Sequence, residues 1–181
     1  MKTEDVMTRR VVACRADTDL AHVARLMWEN DCGAVPVVDA EDRVVGILTD
    51  RDLSMTAHFQ GRALRELKAE ACMAREVATS RPDAPVAELI ELMAERRVRR
   101  IPITDEGGRL LGLVSLGDLF GAAEHAGDKK RKLLHAALID ALARISAHPV
   151  REDIAPALPA KKTAKPADAP RPSSKKRSSK A

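Results

Sequence analysis

The chain has 181 residues, of which 45% are hydrophobic but only 2% aromatic, and a formal charge of +4. That length holds one ordinary domain or two small ones around an aliphatic core, and the shortage of rings excludes a folded surface built to stack bases. The charge is uneven: residues 161–181 carry eight Lys or Arg against one Asp, which leaves residues 1–160 with 23 basic and 26 acidic side chains, so the basicity belongs to the tail.

The opening stretch, MKTEDVMTRR, is charged with no apolar run behind it, and no segment approaches the length of a membrane span. Cys14, Cys32 and Cys72 form no CxxC pair, and their odd number argues against a disulfide framework. A cytoplasmic protein with no membrane partner is expected. Val11 to Cys14 is expected to be a short strand. Leu20, Val23, Ala24 and Met27 then fall on one helix face, with Asp17, Thr18 and Asp19 as start signals. AVPVV from Ala34, a polar turn DAEDR and RVVGIL from Arg43 predict a strand hairpin, and Thr49 opens a second helix.

The same series returns at a constant offset of 66 residues: Met7 maps to Met73, Met27 to Met93, Pro36 to Pro102, Asp39 to Asp105 and Arg43 to Arg109. GILTDRDL from Gly46 becomes GLVSLGDL from Gly112. A strand at Val77 to Ser80, a helix through Val86, Leu89, Ile90 and Met93, and a hairpin of RIPI and RLLGLV around DEGGR complete the second copy. Each copy is β-α-β-β-α in about 55 residues, too small to be comfortable alone.

GAVPVVD with GILTDRDL, and RRIPITD with GLVSLGDL, resemble CBS domains, named for cystathionine β-synthase, over about residues 5 to 125. The resemblance implies an α/β fold of two tandem repeats packed as a pseudo-twofold pair, and association into a homodimer. The expected domains are 1–66 and 67–126 for the repeats, 127–148 for a C-terminal amphipathic helix and 149–181 for a disordered basic tail.

Thr49-x-x-Asp52 and Ser115-x-x-Asp118 fit two descriptions. A hydroxyl followed three residues later by a carboxylate is a capping box that satisfies free N–H groups at a helix start. The same helix end attracts phosphate, while a carboxylate beside it suits the two vicinal hydroxyls of a ribose. The resemblance implies the second use: Asp52 and Asp118 on the ribose of an adenosine ligand, Thr49 and Ser115 near its phosphate. The adenine would then lie among aliphatic residues, Val12 and Ala13 with Val35 in one copy, and Ala78 and Thr79 with Ile101 in the other. Arg51 sits inside the first motif where Gly117 stands in the second. Arg96, Arg97, Arg99 and Arg100 replace Asn30, Asp31, Gly33 and Ala34, so two phosphate-binding clefts would not be equivalent.

His22, His58, His125, His135 and His148 show no metal-ligand spacing, and neither GxxxxGK, GxGxxG nor GxSxG occurs. No enzyme is expected, and no cofactor beyond a regulatory nucleotide: AMP, ADP, ATP or S-adenosylmethionine. After the pair, Leu134, Leu138, Ala141, Leu142 and Ile145 make a further amphipathic stripe, to be covered by the pair itself or by a second subunit. The Lys/Ala/Pro/Ser tail cannot bury enough surface to fold. It serves solubility, or it binds nucleic acid by counterion release with the pair as a dimerisation module.

Overall fold

The computed structural model describes residues 1–147; the expected tail at 149–181 lies outside the described residues. The first repeat builds α1 (Leu20–Glu29), the antiparallel hairpin of β1 (Ala34–Val38) and β2 (Val44–Thr49), and α2 (Asp50–Gln60). The second builds α3 (Val86–Arg96), β3 (Arg100–Thr104) with β4 (Leu110–Ser115), and α4 (Leu116–Glu124). The Asp19 carboxylate accepts from the His22 amide at 2.9 Å and starts α1. The two hairpins share one register and one bulge, after Val37 and after Ile103. Each sheet presses its apolar face on its own helices, burying Leu20, Val23, Val35, Val37 and Leu48 in one core and Leu89, Met93, Ile101, Ile103 and Val114 in the other.

The strands expected at Val11–Cys14 and Val77–Ser80 are corrected by the structure to single parallel bridges, Cys14 to Val37 and Ser80 to Ile103. Proline is the reason. Cys14 donates to the Pro36 carbonyl at 3.0 Å and accepts from Val38 at 2.9 Å, and Ser80 does the same with Pro102 and Thr104. Extending either parallel ladder back by one step requires an N–H from residue 36 or 102, which proline lacks. Val12 and Ala78 are thereby released from the sheets.

Having left one sheet, each segment joins the other repeat. Thr8 exchanges two backbone hydrogen bonds with Leu113 of β4, both at 3.0 Å, and Ala74 does so with Ile47 of β2 at 2.9 and 3.0 Å. Val6 and Met7, at the head of the first copy, pack on the second core; Leu67, Ala69 and Met73 are buried in the first. The repeated glycines permit this close approach. A Cβ at Gly112 would stand 2.8 Å from the Thr8 carbonyl oxygen and 2.9 Å from the Met7 sulfur, and one at Gly46 only 2.7 Å from the Met73 sulfur. The hairpin turns also join: Val44 donates to the Gly108 carbonyl and Leu110 to the Asp42 carbonyl, each at 3.0 Å, with left-handed backbone at Asp42 and Gly108.

A fifth helix, α5 (Asp128–Ser146), lies along α3 and α4. It buries Leu138 and Ala141 in the second core, with Leu134 and Ile145 half-buried beside them. The Arg144 guanidinium closes this contact with two bonds to the Glu91 carboxylate at 2.7 and 2.8 Å, and that bonding holds the Glu91 carboxyl below the usual carboxylate range. Among the described residues no such helix covers the matching face of the first repeat, where Ala24, Met27, Leu53 and Ala57 line a hollow and Trp28 is 88% exposed.

Gly112→Ala is expected to cost about 2 kcal/mol, because a backbone carbonyl blocks the added methyl; Gly46→Ala should cost about 1 kcal/mol, because the Met73 thioether can move aside. Urea midpoints at unchanged slope measure both. Burial, assisted by neighbouring Cys72, pushes the Cys14 thiol up to about 11. An unfolded thiol ionises near 8.5, so the unfolded chain releases this proton first and stability falls as pH rises from about 9 toward 11. Stability of Cys14→Ala followed across that range should decline less steeply than wild type.

Candidate functional site: the clefts between the repeats

Both hydroxyl–carboxylate pairs form capping boxes. Asp52 Oδ2 accepts from the Thr49 amide at 2.8 Å and from Thr49 Oγ1 at 2.7 Å, while the Asp52 amide returns a bond to that hydroxyl at 3.3 Å. At α4, Asp118 Oδ2 accepts from the Ser115 amide and hydroxyl, each at 2.7 Å, and the Asp118 amide donates to Ser115 Oγ at 3.1 Å. Each hydroxyl hydrogen is thus spent on the carboxylate. Among the described residues Oδ1 of each Asp takes no hydrogen bond, so capping leaves one acceptor on each carboxylate for a further donor.

The crossing of residues 8–14 from one repeat to the other opens a cavity of about 330 Å³ with walls from both. Val11, Val12 and the loop after α1 form one side; Arg100, Leu113, Ser115 and Asp118 of the second repeat form the other. Cys32 lies in this wall, and burial raises its thiol above the usual value. Arg100 reaches over Gly33: a Cβ there would stand 3.0 Å from a guanidinium nitrogen and 3.4 Å from an Asp50 oxygen. Gly33 is the position that leaves room for this arginine.

Of the residues expected from sequence, Val12, Arg100, Ser115 and Asp118 come together in this one cleft. Its pseudo-symmetric counterpart, about 440 Å³, is lined by Glu76, Val77, Ala78, Arg96 and Val98. Thr49 and Asp52 are half-buried at the head of α2 and are not in that lining; Arg51 and Thr79 are exposed. Ala13 lines a separate hollow beside the Arg15–Asp42 ion pair. Val35 and Ile101 are completely buried in their cores, which keeps both side chains from any cleft surface. Thr8, Arg10, Gly33 and Leu113 were not expected. The signal that points to them is topological: Thr8 and Arg10 belong by sequence to the first repeat but are carried onto the second by the bridge to Leu113.

Among the described residues no helix is long and apolar enough to cross a membrane, and no group of three or more His, Cys, Asp or Glu gathers to hold a metal. The family model for the CBS domain matches residues 4–56 and again 65–125. The chain belongs to the CBS-domain family, as a tandem pair. It is 35% identical over 114 residues to protein MK0525 of Methanopyrus kandleri, covering 62% of this chain and 58% of that one. It is 32% identical over 139 residues to an inosine-5'-monophosphate dehydrogenase of Methanocaldococcus jannaschii, covering 75% of this chain but 27% of the enzyme. The crystal structure of the CBS domain pair of protein MJ0100, in complex with 5'-methylthioadenosine and S-adenosyl-L-methionine, superposes with a TM-score of 0.61 at 24% identity. That superposition covers 67% of this chain and 97% of that one, a likeness of fold.

Asp52→Ala and Asp118→Ala each remove a capping box, and each should lower stability by about 1 kcal/mol in the absence of any ligand. Denaturation of the two variants measures this cap cost, which must be known before their binding is compared.

Proposed function

We propose that the chain is a regulatory module that binds an adenosine nucleotide between its repeats and passes the ligand state to a partner or to a second copy of itself. One observation carries this reading: the 330 Å³ cleft gathers the Asp118 carboxylate, the aliphatic Val11, Val12 and Leu113, and two guanidinium groups on walls from both repeats. A carboxylate with an open oxygen suits a ribose diol and repels a phosphate, so its neighbours must divide the ligand between them. The aliphatic side chains suit the flat face of a base, which needs no aromatic partner. The volume falls at the lower end of small-molecule sites.

The fold supports the same reading, since the MJ0100 pair holds two adenosine-bearing ligands. The dehydrogenase match supports a regulatory role, because the region shared with the enzyme is a minor part of it. Coupling follows from the walls. A ligand that touches both repeats favours the arrangement in which they stand at the right separation, and only such a preference can shift an equilibrium. A nucleotide of about two dozen heavy atoms, at about 0.3 kcal/mol each, reaches about 7 kcal/mol, a dissociation constant of order 10 μM. That range suits the sensing of an abundant metabolite.

Titration calorimetry of AMP, ADP, ATP and S-adenosylmethionine into wild type, Asp52→Ala and Asp118→Ala tests this. At least one nucleotide should bind wild type, and Asp118→Ala should weaken it tenfold or more, as expected when a charge-assisted bond is lost. Equal heats from all three proteins would remove the carboxylates from the site.

A further inference from the structure

We infer that the loop of residues 31–33 couples the Asp118 cleft to the hollow on the outer face of the first repeat, so that a nucleotide in the one changes the shape of the other; this deepens the nucleotide reading above and rests on it. Asp31, Cys32 and Gly33 line both cavities. To these three the cleft adds Val12, Ser115 and Asp118, while the hollow adds Ala24, Leu53 and Ala57. One short stretch of chain is therefore the wall between them.

The loop lies between α1 and β1 and includes left-handed backbone at Asp31, with φ 46°. Its amides hang on the end of α1: Asp31 donates to the Trp28 carbonyl at 3.4 Å and Cys32 to the Met27 carbonyl at 3.0 Å. Met27 and Trp28 line the hollow, so a displacement of the loop from the cleft side reaches the hollow through two backbone hydrogen bonds. The second repeat bears on the same loop. A guanidinium nitrogen of Arg100, a cleft residue, comes 3.0 Å from the Cβ position of Gly33, and an oxygen of Asp50, a hollow residue, comes 3.4 Å from it. The two halves differ behind the wall: α5 lies along α3 and α4 and buries Leu138 and Ala141 there, whereas among the described residues the first repeat has the hollow in that place. The first loop thus has space to shift into. A ligand that prefers one position of the wall draws the hollow to the matching shape, and by linkage whatever reshapes the hollow alters the ligand's affinity.

Trp28 is the chain's one tryptophan and lines the hollow but not the cleft, which makes its emission a reporter of the hollow alone. Calorimetry of AMP, ADP, ATP and S-adenosylmethionine into the full chain gives the affinity of the tightest ligand, and the Trp28 emission maximum should shift along the same saturation curve. In the reverse direction, Ala57→Leu fills part of the hollow from α2, outside the cleft, and should change that ligand's affinity at least about threefold. Ser54→Leu, at an exposed position of the same hollow, takes its place where Ala57→Leu fails to fold. Nucleotide binding that leaves the emission maximum unmoved, or a smaller change of affinity in the folded hollow variant, would overturn the coupling and leave the nucleotide site standing. No binding of any of the four would overturn the nucleotide reading and this inference with it.

Discussion

The missing N–H of two prolines, Pro36 and Pro102, governs the rest of the structure. Each stands inside a strand where the antiparallel partner does not need its nitrogen, pairing with Ile47 and Leu113 respectively. On the opposite edge the parallel neighbour does need it, and the ladder breaks after one bridge. The chain before Cys14 and before Ser80 therefore cannot stay with the sheet it has just joined. It satisfies its backbone on the other repeat instead, through Leu113 and Ile47. Pairing there satisfies the backbone groups of Leu113 and Ile47 as well, on the strand edges that would otherwise be left open.

From that exchange comes the mutual dependence of the halves. The sheet of the first repeat ends on Ala74, which lies beyond its own sequence, and the sheet of the second ends on Thr8. Met7 and Met73 follow their segments across and fill the space above Gly112 and Gly46. A single repeat would expose a glycine-faced strand edge and lose the side chain that covers it, in addition to having a small core. The clefts arise at the same place. Val12 is half-buried in the cleft wall because the ladder that would have held it in the sheet stops at Cys14.

Much of this was legible in the sequence, and the rest was not, for identifiable reasons. The helices, both hairpins and the capping boxes are local, set by 3.6-residue stripes, turn residues and hydroxyl–carboxylate spacing, and each appears where the spacing puts it. Val11–Cys14 and Val77–Ser80 carry strand composition, but their pairing depends on which nitrogen faces them across a sheet, and no window of local sequence contains that information. The adenine-pocket assignments to Val35 and Ile101 share this origin. Both are strand residues of apolar type, and only the packing decides that their side chains point into the cores, where both are fully buried. Arg10 meets Arg100, Leu113, Ser115 and Asp118 across the cleft, and those four lie 90 or more positions away, beyond the reach of any local pattern.

The internal repeat separates two kinds of position without reference to any other protein. Where both copies hold the same residue, at Met7 and Met73, Pro36 and Pro102, Gly46 and Gly112, Asp52 and Asp118, the structure shows a backbone or packing requirement that both halves must meet. The copies differ at many other positions, and some of these, Thr8 and Ala74, Arg10 and Glu76, Gly33 and Arg99, Ala34 and Arg100, lie about the cleft that carries Asp118 or at the matching positions of its counterpart. A fold requirement acts equally on both halves, since each supplies what the other lacks; a ligand need occupy only one side.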